Sequence, residues 1–178
     1  MRLFVGIRTG CEGYLSSLQR EMKQIGRGRF TEPGNLHMTL KFLGEVPFSD
    51  LKGICDAVSE IKGMPFELTC EGLIVFERGR IVSARVGGET DKLADLFAQL
   101  ETALEKRGFA RDTREFCPHI TLARNFRAAD GCSLGMTACK TQRFDVSEVI
   151  LFESRQDEGS LVYVPLFVHV LEGEPAES

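Results

Sequence analysis

The chain has 178 residues, 43% hydrophobic and 27% charged, with a formal net charge of −4. That balance is globular and excludes a general nucleic-acid coat, which needs a basic surface, although a local basic pocket for one phosphate or one RNA end stays open. The N-terminal apolar run Leu3-Phe4-Val5-Gly6-Ile7 is too short for a secretion signal, and no stretch nears the roughly 18 apolar residues of a membrane span, so a cytoplasmic protein is expected.

In chain order, residues 2–7 (RLFVGI) predict a short buried strand. Thr9-Gly10-Cys11-Glu12 has the form of a capping box. Leu15, Leu18, Met22 and Ile25 then follow at helical spacing, with Gly26 as the stop. A turn is expected at 31–35, around Pro33-Gly34, and a strand over 36–43 (LHMTLKFL). Ser49 or Asp50 can cap a second helix carrying Leu51, Ile54, Cys55, Val58 and Ile61, ended by Gly63. Residues 66–76 and 80–86 predict two strands joined by Glu77-Arg78-Gly79. Thr90 can cap a third helix bearing Leu93, Leu96, Phe97, Leu100 and Leu104, with Gly108 as its stop.

Residues 117–123 (CPHITLA) form the next expected strand. The segment 128–140 is ambiguous and is read as a short helix. Residues 144–154 and 160–170 predict a final strand pair around Gln156-Asp157-Glu158-Gly159, and 172–178 a frayed tail. The order of elements repeats roughly. The expected fold is therefore α+β: a bilobal, pseudo-two-fold arrangement over 1–178, two antiparallel sheets facing a central cleft, helices outside.

Two of the three histidines head the same phrase, His37-Met38-Thr39-Leu40 and His119-Ile120-Thr121-Leu122, 82 positions apart. On a strand, side chains alternate between faces. His37 and Thr39 then share one face while Met38 and Leu40 anchor the other, and the same holds for His119 and Thr121 against Ile120 and Leu122. Two such strands side by side would bring two imidazoles and two hydroxyls together. That set suits phosphodiester chemistry: one neutral histidine accepts a proton, one protonated histidine donates one, and the hydroxyls hold non-bridging phosphate oxygens. No metal is required by it.

Blander readings attach to the same residues. The histidines could be satisfied strand residues, or could bind a metal with Cys117; Thr39 and Thr121 could be simple β-formers. His169 has no partner threonine and reads as a surface or edge residue. Lys41 shares the His37–Thr39 face by parity, so either phosphate attraction or a solvated strand end fits. Arg124 has the parity opposite to His119. Tyr163 could line the cleft or plug the core. The basic clusters 27–29 and 111–114 could guide RNA or simply be solvated. The six cysteines (Cys11, Cys55, Cys70, Cys117, Cys132, Cys139) include no C-x-x-C pair and read mostly as small buried hydrophobes.

The paired H-x-T phrases, with RLFVGI at the start, NLHMTLKFLGEV at 35–46, PHITLAR at 118–124 and Phe152-Glu153-Ser154, Gly159, Tyr163 and Leu166 near the end, resemble the two-histidine phosphoesterase superfamily. Within it, the chain is most similar to the RNA 2′,3′-cyclic phosphodiesterases, first described as 2′-5′ RNA ligases. The resemblance implies a metal-independent, cofactor-free enzyme acting on RNA ends or nucleosides bearing a 2′,3′-cyclic phosphate and leaving a 2′-phosphate. It implies His37 as proton donor, His119 as proton acceptor, and Thr39, Thr121 and Arg124 as substrate-binding residues; the two phrases alone are too symmetric to assign acid and base. A monomer is expected. Ligation of RNA halves, and a binding module without turnover, are the alternatives. Relatives often carry tryptophans before the first phrase and in the middle hairpin. Phe30 and the run Ile81-Val82-Ser83-Ala84-Arg85 stand there instead.

Overall fold

A strand covered on both faces reads as a continuous apolar run, and β1 (Arg2–Ile7) is buried throughout after Arg2. The computed structural model describes residues 1–78, 80–137 and 140–172. After β1 come α1 (Glu12–Ile25), β2 (Gly26–Phe30), β3 (Met38–Glu45), α2 (Leu51–Ser59), β4 (Phe66–Phe76), β5 (Ile81–Gly88) and α3 (Thr90–Glu105). Then follow β6 (His119–Ala128), β7 (Gln142–Val146), β8 (Glu148–Asp157) and β9 (Ser160–Val170).

Every strand pairing is antiparallel, in the order β7-β4-β5-β6-β3-β1-β8-β9, with β2 also on β6. One half-sheet is β6-β5-β4-β7 and the other β3-β1-β8-β9. Each runs four strands outward from the β3–β6 seam. The α+β plan expected from sequence is observed, with the difference that the two expected antiparallel sheets are halves of one continuous nine-stranded sheet among the described residues. The half-sheets meet at one bridged pair, Met38 and Ile120, the middle residues of the two H-x-T phrases.

The helices bury their apolar stripes in a continuous core: Leu15, Leu18 and Met22 from α1, Ile54, Ala57 and Val58 from α2, and Leu93, Leu96, Leu100 and Leu104 from α3. Each fully buried Leu or Ile contributes about 2 kcal/mol of transfer free energy. The seam residues Met38 and Ile120 belong to this core. A smaller layer of Phe4, Ile150 and Phe152, with Tyr163 against it, lies on the other face of β1 and β8.

Several expectations require correction. Thr9 does not cap α1; Cys11 holds the N-cap position with no side-chain bond there. Gly26 does end α1, as its C-cap, but in an extended conformation that opens an unexpected β2 (GRGRF), a strand without the apolar alternation that marks one. Asp50 occupies the N-cap of α2 without a side-chain bond, and Glu89, not Thr90, occupies that of α3. Residues 128–140 contain only a 3-10 turn at Leu134–Met136 among the described residues. The strand expected over 144–154 is two: exposed Ser147 and Glu148 break its alternation, sending β7 to β4 and β8 to β1. The expected tail falls almost wholly on 173–178, outside the described residues, as do Gly79 and Cys139.

Candidate active site

Alternation does for the two phrases what their spelling promised. Met38 and Ile120 are fully buried, whereas His37, Thr39, His119 and Thr121 are half-exposed on the opposite face. The register of the Met38–Ile120 bridge is antiparallel, so His37 comes opposite Thr121, and Thr39 opposite His119. The strands diverge beyond that pair. Two imidazoles and two hydroxyls therefore sit around one point of the sheet face turned away from the core.

The fourth residue of each phrase has a role that parity alone hides. In β3, Gly6 pairs with Thr39 and Val5 with Lys41, so Leu40 is an extra, bulged residue. In β6, Ser83 pairs with Thr121 and Val82 with Ala123, so Leu122 is bulged in the same way. A bulge inserts one residue and reverses the facing of everything after it. Lys41 is thereby turned into the core: its Nζ lies 2.7 Å from Glu101 Oε1 on α3, 3.4 Å from Asp112, and donates to the Ala110 carbonyl at 2.8 Å. It is neither a phosphate ligand nor a solvated strand end. Phe42 takes the outer face instead and is 65% exposed. On β6 the same reversal brings exposed Arg124 round to the face of His119 and Thr121.

Both histidines are tied back alike. His37 Nδ1 donates to the Asn35 carbonyl at 2.6 Å, and His119 Nδ1 donates to the Cys117 carbonyl at 2.7 Å. A carbonyl can only accept, so each neutral ring carries its proton on Nδ1 and keeps Nε2 for chemistry. His37 Nε2 accepts from the Thr39 hydroxyl at 2.8 Å. Around His37 lie Phe4 (4.8 Å between ring centroids), Tyr163 (4.9 Å, edge-on) and Phe152 (6.2 Å). Gly6 makes room, since a Cβ there would stand 2.8 Å from the Met38 carbonyl and 3.5 Å from the His37 ring.

Burial in this aromatic bed pushes the His37 pKa below its ordinary value of 6.5; the Asn35 carbonyl partly offsets this, and the Arg124 and His119 charges push further down. Those charge effects place both groups within electrostatic reach of His37. His119 contacts Phe76 at 4.7 Å.

The sequence matches the family model described as LigT like Phosphoesterase in two segments, residues 5–83 and 86–163, each holding one H-x-T strand. The chain belongs to that family.

This LigT-like phosphoesterase is 30% identical over 132 residues to the RNA 2′,3′-cyclic phosphodiesterase of Aquifex aeolicus, covering 70% of each chain. It is 30% identical over 139 residues to that of Escherichia coli K12, covering 78% of this chain and 77% of the other. The crystal structure of E. coli LigT complexed with 3′-AMP superposes with a TM-score of 0.77 at 26% identity, covering 96% and 97% of the two chains. A Thermus thermophilus structure shares the fold at a TM-score of 0.80 and 24% identity, covering 98% and 100%.

The other sequence candidates separate cleanly. His169 bonds the Ile61 carbonyl at 2.7 Å from the edge strand β9, and Cys117 is exposed, its carbonyl serving His119. Tyr163 lines the site. Sequence reading missed three residues of this LigT-like phosphoesterase. Phe42 was hidden by the bulge. Gln19, on the buried stripe of α1, donates to the Thr31 and Leu122 carbonyls at 2.8 and 2.9 Å and so holds the bulge of β6. Ser83, opposite Thr121, is 0% exposed, with an Oγ that has no hydrogen-bond partner among the described residues.

Proposed function

We propose that this LigT-like phosphoesterase hydrolyses 2′,3′-cyclic phosphate ends of RNA or nucleotides to 2′-phosphates by acid–base catalysis between His119 and His37. One observation carries the reading: two H-x-T strands abut at their middle residues, with both Nδ1 atoms tied to carbonyls two positions earlier. The names of the relatives at about 30% identity support the substrate class.

Water approaches the phosphorus beside His119, whose Nε2 takes its proton as the new P–O bond forms. The bond from phosphorus to the ribose 3′ oxygen breaks, and protonated His37 gives that oxygen its proton from Nε2. Electrons and protons balance, with one proton gained by His119 and one lost by His37. Assignment of acid and base follows the family resemblance; the His37 Nε2 accepts from Thr39, whereas His119 Nε2 has no bonded partner among the described residues. As charge builds on the phosphoryl oxygens, the Thr39 and Thr121 hydroxyls and the Arg124 guanidinium supply donors. Thr39 must turn from His37 to the phosphate to do so.

The test is chromatographic separation of 2′- and 3′-phosphate products from nucleoside 2′,3′-cyclic phosphates, with chelator present. A 2′-phosphate is expected, and His37→Ala or His119→Ala should each lower kcat/KM by about 10²–10⁴-fold. Near-normal turnover in either variant would refute the roles.

A further inference from the structure

Strand β2 reads Gly-Arg-Gly-Arg-Phe, and the sheet sorts that alternation by face. Gly26 and Gly28 lie over Phe126. A Cβ on Gly26 would meet the Phe126 ring at 2.5 Å and the Arg127 carbonyl at 2.6 Å, and one on Gly28 would meet the Arg124 carbonyl at 3.1 Å. Phe30 packs edge-on to Phe126 at 6.4 Å. The inner face of β2 is thus built for close approach, and the arginines are left on the outer one.

There they meet more arginines. Arg29 stands directly opposite Arg124, and Arg27 directly opposite Arg127. All four are exposed, and none forms an ion pair among the described residues. Like charges directly across a strand pair are unfavourable in themselves. A merely solubilising surface intersperses the two signs, and the chain as a whole carries −4. Four unpaired guanidiniums in two facing pairs are therefore a local reversal of the molecule's charge.

The strip begins at the site. His119, Thr121 and Arg124 follow one another on the outer face of β6 once the Leu122 bulge is counted, and a second register shift, three residues of β6 against two of β2 between the Arg29–Arg124 and Arg27–Arg127 pairs, brings Arg127 onto the same line. At about 3.3 Å per residue, Thr121 to Arg127 spans under about 20 Å, the reach of a few nucleotides rather than one. We propose that the Arg29–Arg124 and Arg27–Arg127 pairs form a track for the phosphodiester backbone of single-stranded RNA whose cyclic end lies at the histidines. This chain then favours oligoribonucleotide ends over free cyclic mononucleotides. The proposal rests on the cyclic phosphodiesterase reading and adds chain-length selection to it.

The experiment compares a nucleoside 2′,3′-cyclic phosphate with a hexaribonucleotide ending in the same group, for the unaltered protein and the double variant Arg27→Ser with Arg127→Ser. Both positions lie beyond the histidine–threonine site, so mononucleotide turnover should be unchanged. The unaltered protein should turn over the hexamer with kcat/KM about tenfold or more higher than the mononucleotide, and the double variant should lose that surplus. The log–log salt slope for the hexamer should become shallower by about 1.4, two contacts at roughly 0.7 each for a single strand. The variant should also melt no lower than the parent, because like-charge crowding is relieved. Equal kcat/KM for the two substrates, or a hexamer surplus untouched by the variant, overturns the track. If neither substrate is hydrolysed, the parent reading falls by itself. The track is then judged by fluorescence anisotropy of the labelled hexamer: the same slope change supports it, and identical binding by parent and variant overturns it.

Discussion

At the scale of single residues, His37 sets the pH behaviour. As proton donor it must enter the reaction charged, yet burial and the Arg124 and His119 charges hold its pKa below 6.5 in the free protein. Raising the pH through that lowered value removes the acid, so kcat/KM should fall on the alkaline side from below pH 6.5. Arg124→Gln removes one charge that opposes protonation. Its alkaline limb should therefore move to higher pH while KM rises about tenfold or more, both read from kcat/KM and KM measured against pH. An unmoved limb would mean Arg124 does not act on His37. Ser83 gives a stability prediction of opposite sign to most core changes. Its hydroxyl is buried without a partner among the described residues, so Ser83→Ala should leave unfolding free energy unchanged or raise it by about 1 kcal/mol in urea titrations.

At the scale of elements, the bulges at Leu40 and Leu122 decide which neighbours the histidines have. Gln19 holds the second one from α1, across 103 residues of chain. Gln19→Leu would remove the side-chain donor of the Thr31 carbonyl and leave the Leu122 carbonyl with the Thr31 N–H alone, a loss expected at about 2 kcal/mol in denaturant unfolding, and turnover should fall further than folding does because the loosened Leu122 carbonyl lies between Thr121 and Arg124. The bulges also mark where the sequence stopped being legible. A continuous apolar run located β1, which is covered on both faces, and period-2 alternation located β3, β6 and the histidine–threonine face, since those two strands bury one face and expose the other. It failed at Lys41 and Arg124, because one inserted residue reverses parity without any sign in composition. It failed at β2, whose inner positions are glycine for lack of space rather than apolar for burial, and at Ser147, where one chain segment serves two half-sheets. Tyr163 and Phe152 could not be placed beside His37 from sequence, because only the pairing of β8 with both β1 and β9 brings them there.

At the scale of the molecule, the half-sheets share one bridged pair, β2 adds backbone pairing along β6, and side chains reinforce the junction. Lys41 is the clearest tie, joining β3 to Glu101 on α3 and to the segment at Ala110 and Asp112 that leads into β6. Lys41 and Glu101 are each 4% exposed. Lys41→Met strands a buried carboxylate and should cost about 3–5 kcal/mol by denaturant unfolding, whereas Lys41→Met combined with Glu101→Leu should recover most of it. Equal losses in the single and double variants would show that the pair is not the tie. The near-equivalence of the two halves has a chemical corollary. Each imidazole presents Nε2 to the same place from the same tether, so a reaction run backwards finds the same two groups with their duties exchanged. The difference in burial governs how fast either course runs at a given pH. It cannot favour one course over the other: whether a cyclic end is opened by water or joined to an arriving 5′-hydroxyl is decided by which nucleophile is present and at what concentration.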